Sequence, residues 1–306
     1  GSIPLEAQRL GLEAHASDLN PLAVLINKAL IDIPPKFAGQ EPVHPGGNEQ
    51  SIYQRAEGLA EDVRYYGKWM RDEAFRRIGH LYPKVKAPDG TEHTVIAWIW
   101  ARTVRSPNPA NPMEVPLVRS WWLSKKKGKE AWVRAIVQEG RVHYEAVHDS
   151  IGPADDGTIN RKGAVSVADG TPIGFEHIRT ESRAGRMGAD LIAVVAEGLH
   201  GRLYLSPTAE HTKAAEVPRP EGLSDAELPE QALGFRVQNY GLKRWVDLFT
   251  KRQLVAMATL SDLIAEVREQ VLVDGLISGV PEGDLLERGG SDAQAYADAV
   301  ATYSSL

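Results

Sequence analysis

The chain of 306 residues contains no cysteine. That absence excludes disulfides, thiolate nucleophiles and any cysteine-ligated metal centre. No apolar run approaches ~20 residues, which excludes a transmembrane helix. No basic-then-apolar leader opens the sequence, so nothing suggests secretion and a cytoplasmic location is expected. Positive charge is not in excess either: 35 Lys and Arg stand against 41 Asp and Glu, a net charge of -6. A general polyanion binder is excluded, and contact with nucleic acid requires a local basic patch on an acidic background. No nucleophile–base pair, paired catalytic carboxylates or phosphate-binding glycine loop stands out. With 42% apolar and 25% charged residues, the chain has globular composition and length for one large domain or two ordinary ones.

Periodicity divides the chain. Residues 3–11 read as a helix with Ile3, Ala7 and Leu10 on one face and Gly11 as its stop. Residues 13–19 read as a short strand. A second helix opens at Pro21, carries Leu22, Leu25, Ile26, Ala29 and Leu30 on one side, and is expected to end at Pro34-Pro35. Helix, strand, helix with tight turns is one piece of a wound α/β sheet whose first strand is missing. After a Gly- and Pro-rich linker (38–48), a helix from about 49 to 79 carries Ile52, Ala56, Leu59, Val63, Tyr66 and Met70 as a stripe, expected to bury within the chain. From about 92 to 180 the pattern is that of strands, at 94–104, 115–124, 130–138 and 141–149. Helical signals return at 189–198, before a strand at 202–207. Thr250-x-x-Gln253 and Ser291-x-x-Gln294 are capping-box signatures for two further helices.

The stretch GSIPLEAQRLGLEAHASDLNPLAVLINKALIDIPPKFAG resembles a bacterial and archaeal family of adenine-specific DNA methylases that carry a zinc ribbon. VPLVRSWWLSKKKGKEAWV, PIGFEHIRTESRAGRMGADL and LGFRVQNYGLKRWVDLFTKRQL agree with the same family, so the resemblance runs over most of the chain. It implies an α/β fold with part of a Rossmann-like S-adenosylmethionine methyltransferase sheet, interrupted by a helical insert and a β-rich, ribbon-like insert. The implied segments are 1–37 (cofactor-binding), 38–90 (linker and helix), 91–180 (ribbon-like) and 181–306 (C-terminal α/β). The implied reaction is methyl transfer from S-adenosylmethionine to the exocyclic amine of adenine in DNA. In the family an Asp-Pro-Phe-Ala-Gly-Gly turn precedes the Gly-Ser that stands here at Gly1, and a catalytic Asp-Pro-Pro-Tyr lies further on. Neither is in this sequence. The chain is therefore expected to be an internal fragment, inactive alone.

Three constellations carry the expected chemistry. Asp18, at the end of the second predicted strand, is placed to accept hydrogen bonds from both ribose hydroxyls of a nucleotide-like cofactor, with Leu19 and Asn20 edging the base. Asp18 or Asn20 serves equally well as N-cap of the helix at Pro21. The resemblance favours the cofactor role and adds Gly1 to that set; spacing alone does not separate S-adenosylmethionine from a dinucleotide. The second constellation is one of missing ligands. Where the family places two pairs of zinc-binding cysteines, this chain has Ser106 and Asn111, then Ser166 and Asp169. Hydroxyls, an amide and one carboxylate do not replace four thiolates, so no zinc is expected, and His143 and His148 do not restore the site. Pro, Asn and Asp-Gly at these turns could keep the ribbon's shape through side-chain-to-backbone hydrogen bonds. The third is RSWWLSKKKGK, where Arg119, Lys125, Lys126, Lys127 and Lys129 surround Trp121 and Trp122 without a carboxylate. Phosphate contact with base stacking uses such residues; so does a strand with core tryptophans and a solvated turn. Arg179, Arg183 and Arg186 pose the same choice between a phosphate clamp and a polar helix start. DNA is the expected partner, and a non-catalytic nucleic-acid-binding module is the alternative to a methyltransferase.

Overall fold

The computed structural model describes residues 2–47, 53–229, 234 and 236–306. In chain order the helices are α1 (Ser2–Arg9), α2 (Pro21–Asn27), α3 (Ile33–Lys36), α4 (Glu57–Ile78), α5 (Phe175–Arg183), α6 (Ala209–Ala214), α7 (Lys251–Ile277) and α8 (Ala293–Ser304). The strands are β1 (Val85–Lys86), β2 (Glu92–His93), β3 (Val95–Arg105), β4 (Glu114–Leu117), β5 (Trp122–Ser124), β6 (Ala131–Gln138), β7 (Arg141–Val147), β8 (Gly163–Val165), β9 (Pro172–Gly174), β10 (Gly188–Gly198) and β11 (Gly201–Leu205). The protein mixes helices with β-sheets, and each pairing among these strands is antiparallel. Two compact units form: Gly1–Gly79 with Ala256–Leu306, and His80–Val255. No helix of the described residues is long and apolar enough to cross a membrane.

The first unit is helical. Leu59 and Tyr66 of the α4 stripe are buried with Ile33, Phe37, Val267, Val271, Tyr296 and Val300, and Val63 and Met70 pack on the same core. Ile52 lies outside the described residues. A fully buried carboxylate holds this core together. Asp62 Oδ2 accepts from the Val43 N–H (2.8 Å) and the Tyr296 hydroxyl (2.6 Å). Its Oδ1 accepts from the His44 N–H (3.0 Å) and meets His44 Nδ1 at 2.6 Å. Burial and the neighbouring carboxylates hold the Tyr296 and Tyr66 hydroxyls well above the usual phenol range, so both stay donors.

Two expectations for this unit are corrected. Residues 12–18 pair with no strand among the described residues, and most of their side chains are exposed. No βαβ piece is built there. The second helix also continues past its expected end. A π-turn at Lys28–Asp32 closes with the Ile33 N–H on the Lys28 carbonyl, and Pro34 and Pro35 then sit in the first turn of α3, where a missing N–H costs nothing.

The second unit carries two main sheets, ordered β11-β10-β3-β4 and β5-β6-β7. Residues 189–198, expected as a helix, form the strand β10. Leu191–Ala196 are six consecutive buried residues covered on both faces, and such a run has no helical face to select. The run expected as one strand at 115–124 divides into β4 and β5. Between them the Val118 N–H donates to Thr158 Oγ1 (2.8 Å) and the Trp121 N–H to the Asp156 carbonyl (2.8 Å), turning the chain from one sheet to the other.

A buried cation ties down the start of α7. The Arg252 guanidinium lies 4.5 Å from the Trp98 ring and 5.0 Å from Tyr82, and donates to the Leu81 carbonyl at 2.9 Å. Trp98 Nε1 donates to His211 Nδ1 at 2.8 Å, which fixes the neutral tautomer of His211 with its proton on Nε2. Burial pushes the His211 imidazole below its ordinary range; Arg252 acts in the same direction, against Glu210.

Asp62→Ala strands four donors in the helical core and should cost about 3–5 kcal/mol; urea titration followed by helical circular dichroism checks it, and a loss under ~1 kcal/mol refutes the central role. For His211, the unfolded imidazole takes a proton below about pH 6.5 while the folded one resists, so stability falls as pH drops from 7 towards 5. His211→Gln keeps an acceptor for Trp98 and should flatten that pH dependence of Tm; an unchanged slope would exclude His211 as its source.

Candidate nucleic-acid interface

The β3–β4 turn (106–113) and the β8–β9 turn (166–171) meet. Asn108 Nδ2 donates to Asp169 Oδ2 at 2.9 Å, and Asn111 Nδ2 reaches the same oxygen at 3.4 Å. Asp169 Oδ1 accepts from the Thr171 N–H at 3.0 Å. Within each turn a buried hydroxyl accepts a backbone N–H two residues on: Ser106 Oγ from Asn108 and Ser166 Oγ from Ala168. The Thr171 N–H, then the Ser166 hydroxyl, hold the Asp169 carboxyl well below the usual carboxylate range. The two turns that carry the four positions at which the resemblance places metal ligands thus meet, and the Asp169 carboxylate forms the link between them. This donor set does not fit zinc: it offers one carboxylate, already saturated by N–H and O–H donors. Among the described residues no group of three or more His, Asp or Glu side chains could hold a metal. Asn108, the strongest link, was visible in the sequence only as a turn residue.

The β5–β6 turn carries the lysines. Lys125, Lys126, Lys127 and Lys129 are exposed, as is Arg119, and none of these pairs with a carboxylate among the described residues. Trp121 is core, packed with Ala101, Val118, Val133 and Ile192, as one of the two readings of this strand has it. Trp122 is half-buried. A Cβ on Gly152 would come within 2.3 Å of its ring, and Lys125 Nζ lies 5.5 Å from its centroid on the exposed side. Lys129 Nζ donates to the His200 carbonyl, which fastens the lysine turn to the β10–β11 turn. Sequence reasoning missed this second tip because β10 read as a helix. The Gly198-Leu199-His200-Gly201 pattern, two glycines flanking a two-residue loop, was the available signal.

The arginines of α5 and of the turn after it lie beside carboxylates. Arg186 makes two hydrogen bonds to Glu181 (2.9 and 2.7 Å), and Arg179 and Arg183 approach Glu176 at 3.7 and 3.8 Å. They form a polar helix surface rather than a clamp. His143 is exposed on β7, and His148, beyond the strand's end, lies 2.8 Å from the Tyr204 carbonyl.

In the first unit, Asn20 caps α2 through Oδ1 to the Leu22 N–H (3.0 Å), and Asp18 Oδ1 accepts from the Asn20 N–H (2.8 Å). Leu19 is fully exposed. Gly1 lies outside the described residues. The capping reading accounts for both polar side chains. These residues alone do not enclose a cofactor.

Compared with known proteins, the chain matches no family model, no curated protein and no solved structure.

If Asp169 bridges the turns, Asp169→Ala should speed hydrogen exchange at the Ala168 and Thr171 amides at least tenfold while 94–104 stays protected. Unchanged exchange at both amides would show that the turns stand without the bridge. Elemental analysis should find well under one zinc per chain; a stoichiometric signal would overturn the reading of Ser106, Asn111, Ser166 and Asp169 as non-ligands.

Proposed function

We propose that this chain belongs to an S-adenosylmethionine-dependent adenine-N6 DNA methyltransferase and that its second unit holds the DNA. The carrying observation is the uncompensated lysine turn: four exposed ammonium groups on a hairpin without a carboxylate partner, in a chain of net charge -6. Acidic proteins keep such a patch where a polyanion must be held locally. The meeting of the 106–113 and 166–171 turns supports the ribbon-like reading, with hydrogen bonds doing what thiolates and zinc do in the family it resembles.

The finer fold reading rests on the first unit. Ile3, Leu10, Leu12, Leu22, Ile26 and Leu30 of α1, α2 and their flanks are exposed apolar side chains. A soluble helical layer leaves such a surface where further structure covers it. We read it as the outer layer of a Rossmann-like methyltransferase sheet, with Asp18 at the cofactor edge. A cytoplasmic location accompanies that reading.

The alternative, a non-catalytic nucleic-acid-binding module, is favoured by the antiparallel character of the described sheets and separates from the first by chemistry. These 306 residues contain no Asp-Pro-Pro-Tyr and no glycine-rich loop. Labelled methyl transfer to unmethylated DNA by this chain alone should therefore stay at background; turnover abolished by Asp18→Ala would overturn that expectation. For DNA itself, anisotropy of a labelled duplex between ~50 and ~200 mM salt should show affinity falling steeply. Replacing Lys125, Lys126 and Lys127 by Ala should reduce the log–log salt slope by about 2–3. Absence of binding at the lowest salt would remove both readings.

A further inference from the structure

The second unit presents two hairpin tips side by side, and the one without lysines carries an exposed leucine. Leu199, between β10 and β11, is 95% exposed, the most exposed of the large apolar side chains among that unit's described residues. Folding does not require it there, since it packs on nothing. Its hairpin is rigid at the base: Leu191–Ala196 of β10 are buried, and Gly198 pairs with Gly201 directly below the tip. Gly201 has φ +125°, a conformation disfavoured for other residues, and a Cβ there would stand 3.2 Å from Lys129 Nζ. That glycine lets the lysine hairpin approach closely enough for Lys129 to bind the His200 carbonyl. The result is one apolar side chain on a tip fastened to the turn of Lys125, Lys126 and Lys127, with Arg202 and the exposed Glu197 facing each other across the strands below it.

We propose that the two tips enter a groove of duplex DNA together, the lysines on flanking phosphates and Leu199 wedged between adjacent base pairs. The proposal rests on the DNA-binding reading of this unit and adds how the duplex is engaged. Apolar wedges inserted at a base step unstack it and kink the helix, and they work when cations on either side hold the backbone while the stack opens. The geometry supplies both parts on a hydrogen-bonded scaffold rather than a free loop. A single leucine among strongly hydrated ammonium groups buries too little apolar area to anchor a membrane, which needs a broad apolar face.

The test uses the full chain and a short duplex carrying 2-aminopurine at one step, read by anisotropy and by base fluorescence. Wild-type protein should bind and brighten the probe, reporting an unstacked base. Leu199→Ala should bind about tenfold more weakly, leave the probe dark and keep the same salt slope, because no phosphate contact is lost. The exposed side chain makes no folded-state contact, and an unchanged circular dichroism spectrum and Tm would establish that the variant folds. Equal affinity and equal brightening by Leu199→Ala overturn the wedge while leaving DNA binding intact. No binding of the duplex at low salt overturns the wedge and the reading it rests on. So does Leu199-dependent binding to vesicles of anionic lipid with none to DNA.

Discussion

The second unit depends on one strand that has no solvent face. Leu191 to Ala196 must be covered on both sides, so β10 lies between β3 and β11 with apolar side chains above and below it. That burial positions two of the turns of functional interest in the unit. β3, paired along β10, leads directly into the 106–113 turn, and β10 itself ends at the Leu199 tip. Burying six such residues contributes on the order of 1.5–3 kcal/mol for each large side chain, before ordering entropy is subtracted. The turns at the ends of these strands need contribute little to stability, and they are free to be selected for other properties.

The meeting of the 106–113 and 166–171 turns shows what that freedom permits. A tetrahedral zinc site would bring roughly 10–16 kcal/mol of binding free energy to a small ribbon. Here the turns are held by amide, hydroxyl and backbone donors converging on one exposed carboxylate, each a small contribution beside such a site. Such a link cannot fold a ribbon by itself. It suffices because Val104, Met113, Val115, Ala164, Ile173 and Ile178 form a core directly beneath it. The hydrogen bonds then set the mutual position of two turns that the apolar core already keeps close.

Legibility in the sequence followed the range of the interactions. The Thr250–Gln253 capping box is local, and both of its bonds form: Thr250 N–H to Gln253 Oε1 at 2.8 Å and Gln253 N–H to Thr250 Oγ1 at 3.2 Å. The equivalent signature at Ser291–Gln294 fails because a tertiary partner competes. The Pro281 and Glu282 carbonyls take the Ala293 and Gln294 amides, and Asp292 becomes the cap residue. α4 was readable from its amphipathic stripe, and the strands of 94–104, 130–138 and 141–149 from their β-branched and aromatic residues. β10 was not, since a two-sided strand erases the alternation that distinguishes it. The candidate interface was half visible: the lysine turn is written in consecutive residues, whereas its junction with the β10–β11 tip exists only through pairing across some seventy positions.

The placement of charge completes the argument. Screening confines an exposed charge to about 8 Å at physiological salt, so a net charge of -6 spread over the chain acts weakly at a tip that projects beyond it. Within that distance the lysine turn sets the local potential. On the proposed reading, its partner would have to come close before being attracted strongly, which favours a polyanion dense enough to contact several ammonium groups at once. Duplex DNA, with a negative charge about every 1.7 Å along its axis, meets that condition. Small anions do not. The same short range requires the cations and the apolar tip to be carried by hairpins fixed to each other, because a displacement of a few ångströms would separate the attraction from the side chain it is meant to deliver.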